Sequence, residues 1–182
     1  MRSSQLITVA HRLFLVTTCF RLTMFFSDAT LVAAAEADPH QALHPSLVQS
    51  VIPEQQLVDE TNMYRGEAGL SPLRENDQLT AAAEAKAEDM LTNHYWDHFR
   101  PSDGKAPWDF IDESGYHYSV AGENLARGFQ SAQGITQAWM ASPAHAANLL
   151  SQKYEDVGFA TVYGYDDQGN RVILTVEMLG AR

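Results

Sequence analysis

Two alternating apolar runs near the C-terminus, Val157–Tyr163 and Val172–Met178, constrain this chain more than any other feature. Between them lies Gly164-Tyr165-Asp166-Asp167-Gln168-Gly169-Asn170, which supplies turn chemistry, so the pair reads as a β-hairpin. Upstream, the apolar spacing has helical period. Leu57, Thr61, Tyr64 and Ala68 share one face of a first helix that Gly69 stops. Asn76 or Asp77 caps a second helix with the stripe Leu79, Ala82, Ala83, Ala87 and Met90, whose alanines imply close approach to another element. Pro107 opens a short helix that Gly115 ends, and Ser131 caps another carrying Ile135, Ala138 and Trp139. The glycine-flanked stretch Gly122–Gly128 reads as a strand edge or a tight loop. Helices followed by a terminal hairpin argue an α+β sandwich.

The 182 residues suit one well-buried domain, and 45% hydrophobic content excludes a disordered chain. A net charge of −11 with no basic stretch argues against nucleic acid or an anionic membrane surface as partner. Residues 1–37 stand apart. They hold Arg2, Arg12 and Arg21 with no acid before Asp28, apolar runs at 13–20 and 22–26, and small residues ending at Ala35 or Ala37. That pattern predicts a secretory signal peptide cleaved after one of those alanines, hence a secreted or extracytoplasmic protein. Arg21 interrupts the apolar run, so no mature transmembrane segment is expected. Residues 38–50, with Pro39 and Pro45, read as a linker, leaving 51–182 as the domain. The one cysteine, Cys19, lies in the leader, so the mature fold rests on its core without disulfides.

Chemistry-bearing residues are few. His98 lies in Asn93–Gly104, a connector rich in His and aromatics; Glu123 lies in the glycine-flanked stretch; Glu177 lies in the last strand. His145 follows Ser142-Pro143, a cap and first-turn proline, and the positive end of a helix favours neutral imidazole, the form that binds metal or accepts a proton. HExxH, CxxC, P-loop and GxSxG patterns are absent. Two neutral imidazoles beside a carboxylate suit a zinc-type divalent ion with positions open to water.

His98-Phe99-Arg100-Pro101-Ser102-Asp103-Gly104 with Pro107-Trp108, then Gly122-Glu123-Asn124-Leu125-Ala126, then Trp139-Met140, Ser142-Pro143-Ala144-His145 and Asn148-Leu149-Leu150, resemble the bacterial branch of the CAP superfamily. This superfamily holds the cysteine-rich secretory, antigen 5 and plant pathogenesis-related 1 proteins. Asn62-x-x-Arg65 and Gly158-Phe159 match as well, so the resemblance spans about residues 51–180. It implies a three-layer α–β–α sandwich with a small, mainly antiparallel sheet and a groove holding two histidines and two acids that can bind a divalent cation. His98, Glu123 and His145 match three of those four positions. The fourth, usually Glu, is Ser142 here, and Glu177 stands where bacterial relatives usually carry Gln. Glu177 is a candidate second carboxylate for the groove, the alternative being solvent. Asn62 and Arg65 are read as structural, and Asn124 and Asn148 as orienting residues.

The leading expectation is therefore a secreted CAP-domain protein that binds a divalent cation, zinc by its donors, through His98 and His145, with Glu123 as ligand or orienting group. One alternative is a hydrolase in which Glu123 or a metal-bound water acts as base; a capping Ser142 would have its hydroxyl committed to backbone donors. Another is a module for a lipid, partner or cell-envelope ligand, with Tyr95, Trp96, Phe99 and Trp108 lining a cleft.

Overall fold

A computed structural model describes residues 52–182 apart from residue 167; the expected leader, with Cys19, and the linker lie outside the described residues. The elements run α1 (Glu54–Glu67), β1 (Arg74–Glu75), α2 (Asp77–Thr92), α3 (Pro107–Glu113), β2 (Val120–Arg127), α4 (Ala132–Met140), α5 (Pro143–Leu149), β3 (Asp156–Tyr165) and β4 (Arg171–Ala181). The hairpin forms where the alternation places it. β3 and β4 pair antiparallel, and Asp166 closes the turn by accepting the Gln168 and Asn170 amides. The glycine-flanked stretch is a strand, β2, pairing antiparallel with β4 at one edge. The two-residue β1 pairs parallel with β3 at the other, giving the order β1-β3-β4-β2.

Helices cover both sheet faces, so the fold is the α+β sandwich with a small, mainly antiparallel sheet. On one face α2 and α3 meet Ala160, Val176 and Met178; on the other α1, α4 and α5 meet Phe159 and Leu179. The α2 stripe is buried as its period requires, and Asn76 caps the helix by accepting the Gln78 and Leu79 amides. Its alanines let β3 come so near that a Cβ at Gly158 would collide with the backbone of Leu79 and Thr80. In α1 the buried face is Leu57, Val58, Thr61 and Arg65, about one residue round from the expected one; Tyr64 is half-buried and Ala68 exposed. The shift follows from Arg65, which a hydropathy stripe leaves out. Its guanidinium donates to the carbonyls of Ser71, Leu149 and Ser151, while the Asn62 amide pairs with the Leu73 backbone. Both residues tie α1 to its neighbours. No helix among the described residues is long and apolar enough to cross a membrane.

Candidate functional site

The edge strand β2 organises the site. Alternate carbonyls on its unpaired side, those of Ala121, Glu123 and Leu125, accept from the Tyr154 hydroxyl, the Asn148 amide (3.0 Å) and the Trp139 indole (3.0 Å). The edge is thereby closed to strand addition. The same bonds fasten the α4–α5 unit to β2, and Asn148 also donates to Asn124 Oδ1 at 2.9 Å. His145, three residues before Asn148 on α5, is half-buried, and its carbonyl accepts from the Asn124 amide at 3.4 Å.

His98 arrives from the other side. The 94–105 loop is pinned to α2 by two side chains one turn apart. Lys86 is fully buried, and its ammonium donates to the Tyr95 hydroxyl and to the carbonyls of Asp97 and His98 at 2.7–3.1 Å. Asp89 receives Arg100 on both oxygens and the Tyr95 hydroxyl on one. Lys86 lies on the α2 stripe, three after Ala83 and four before Met90, yet a hydropathy reading leaves it out because Lys is almost never buried unpaired. A Lys inside an otherwise apolar stripe was the available signal.

This anchoring brings His98 Nδ1 to 2.5 Å from Glu123 Oε1. The imidazole is 48% exposed and the carboxylate 1%, so the ring, not the acid, can reach a ligand. The carboxylate hydrogen bond raises the His98 pKa above its ordinary value. Burial raises that of Glu123, with His98 and the Lys86 ammonium pulling the other way. His145 shifts down, because burial and the nearby His98 both disfavour its cation. Glu123 Oε2 is buried without a hydrogen-bond partner.

Two expectations need correction. Glu177 neither joins the groove nor meets solvent. It pairs across strands with Asn124 and Phe159, on the sheet face opposite Glu123, and is fully buried. Its Oε2 accepts from the Asn124 amide at 2.6 Å, and burial raises its pKa to about 8. A single residue of offset along a strand decides this. Ser142 does stand at the cap of α5, but its side chain makes no capping hydrogen bond, and the hydroxyl stays uncommitted. No hydrogen bond joins the side chains of Ser142 and His145, and no three His, Cys, Asp or Glu side chains among the described residues converge as a metal-holding group. The structure therefore unites His98 with Glu123, sets His145 near enough to His98 to feel its charge, and leaves Glu177 out.

The family model described as the cysteine-rich secretory protein family matches residues 58–178. The chain is 34% identical over 148 residues to the uncharacterized protein YkwD of Bacillus subtilis (strain 168), covering 81% of this chain and 54% of that one. It is 30% identical over 105 residues to the uncharacterized membrane protein YlbC of the same organism, covering 58% and 30%. The chain thus spans about half the length of the first relative and less of the second. An extracellular protein containing an SCP domain from Bacillus anthracis str. Ames superposes with a TM-score of 0.60 at 26% identity, covering 71% of this chain and 40% of that one. An outer surface protein of Borrelia burgdorferi superposes with a TM-score of 0.61 at 22% identity, covering 70% and 91%, and so shares the fold. With that family model matching well over half its length, the chain belongs to the CAP family of cysteine-rich secretory proteins.

Proposed function

We propose that this is an exported CAP-domain protein whose β2-edge groove binds a divalent cation of the zinc class through the imidazoles of His98 and His145, with Glu123 as orienting group. The observation that carries the reading is the 2.5 Å pair between His98 Nδ1 and buried Glu123. A metal-binding histidine commonly gives its second ring nitrogen to a carboxylate, which fixes the tautomer and leaves the other nitrogen to the ion. Neutral His145 supplies a second donor of matching type, and the unpartnered Glu123 Oε2 is a negative atom a nearby cation would favour. The donor set thus fits an ion held by two imidazoles, with its other positions taken by water or ligand. Bound there, a zinc-type ion would supply Lewis acidity. The chain's own residues orient the imidazole, hold His145 neutral and keep Glu123 out of water. Export is supported by the leader pattern at 1–37 and by the extracellular relative.

Calorimetric titration with zinc at pH 7.5 tests this. One ion per chain is expected, with affinity lost in the His98→Ala/His145→Ala variant. Equal binding by that variant, or none by the parent chain, refutes it.

A further inference from the structure

The strand face that carries Glu123 ends at a hollow beside Arg127. Strand alternation puts Glu123, Leu125 and Arg127 on one side; Leu125 is buried in the core, and Arg127 emerges at the strand end. Four strand residues separate Glu123 and Arg127 by about 13 Å. At Arg127 lies a hollow of about 100 Å³, floored by Met90 and Leu174 and bordered by Trp96, Tyr165 and His94. Trp96 precedes His98 by two residues, so one pinned loop builds both places.

Trp96 and Tyr165 are 39% and 58% exposed, large apolar side chains left in water at one hollow. An indole and a phenol at one hollow offer amphipathic ring faces. Arg127 adds charge that is loosely held. Arg65 and Arg100 are committed to several acceptors each, whereas Arg127 makes no side-chain hydrogen bond among the described residues and meets Asp166 only at 3.5 Å. Asp166 is itself occupied by the turn amides of Gln168 and Asn170. In a chain of net charge −11, a guanidinium in a hollow lined by two exposed aromatic side chains selects an anion that carries a ring. His94 offers hydrogen-bonding ring nitrogens at the rim, which a hydroxylated ring uses and a bare aromatic ring does not.

We propose that this hollow is a subsite for one acidic sugar residue, its carboxylate on Arg127 and its ring face on Trp96 or Tyr165. The hollow is well below the roughly 300 Å³ of a whole-ligand pocket, so it takes a single ring. The subsite goes beyond the cation reading and does not depend on it.

The test is a titration of isotope-labelled protein with tetragalacturonate, following the Trp96 indole N–H by NMR, with maltotetraose and phenylacetate as controls. A saturable shift with the uronate, with Kd below about 10 mM, is expected, and saturation by neither control. Arg127→Ala and Trp96→Ala should each weaken binding about tenfold, while His98→Ala/His145→Ala leaves it within about twofold. No saturation by the uronate, equal binding of phenylacetate, or an unchanged Arg127→Ala variant overturns the subsite. Loss of binding in the double histidine variant also overturns it, by placing the anion at the other site.

Discussion

Among single residues, the two carboxyls that sequence pattern puts forward for the groove, Glu123 and Glu177, have separate tasks. Glu123 orients His98. Because His98 is the imidazole whose pKa is raised, protons compete there first on acidification. Zinc affinity is expected to hold above that raised pKa and then to fall about tenfold per pH unit below it, while His145 stays neutral further down. Titrations between pH 8 and 5 check the slope, and Glu123→Gln should move the onset lower. Glu177 acts on stability. A buried carboxyl with a folded-state pKa of about 8, raised from the ordinary carboxyl range, favours the fold fully at acid pH. That contribution drains away as pH climbs to about 8, because the unfolded chain releases its proton earlier. Glu177→Gln keeps the shape and removes the titration. It should stabilise the protein by about 3 kcal/mol at pH 7 and by nothing near pH 4, measured by denaturant unfolding at both.

Among the elements, the hairpin, the α2 stripe and the Asn76 and Ser131 caps are legible in the sequence because each obeys a local rule of period or capping. Which face a strand residue takes is set by register with a partner far along the chain, and so the place of Glu177 is not. Lys86 escapes for a related reason. Its burial is made possible by Asp97 and His98 carbonyls that only the folded loop delivers. Sequence pattern points to His98, Glu123 and His145, but not to the hydrogen bond that makes Glu123 an orienting group. Lys86→Met should leave α2 formed yet speed amide hydrogen exchange over 97–104, and weaken zinc binding about tenfold through His98. Gly158→Ala tests the β3–α2 approach. Its methyl would meet helix backbone, which cannot yield like a side chain, so a loss of about 3 kcal/mol or more in unfolding free energy is expected.

In the molecule as a whole, two helical layers on a four-stranded sheet bring His98 to Glu123 of the edge strand β2. β2 lets this happen. Its outer carbonyls are spent on Trp139, Asn148 and Tyr154, and its α2-facing side chains run from Glu123 to Arg127. The loop from one layer and the helix end from the other meet across that strand, which is why neither histidine needs to be near the other in sequence. With Cys19 the sole cysteine, no intramolecular disulfide supports this arrangement, and the melting temperature should not change with a thiol reductant. Whether His98 and His145 share one cation is decided by a crystal soaked in zinc chloride at neutral pH, through anomalous scattering at the zinc edge. One peak about 2.1 Å from a ring nitrogen of each histidine is expected, with Glu123 still on His98 Nδ1. A peak elsewhere on the acidic surface, with none between these two imidazoles, would refute the shared cation.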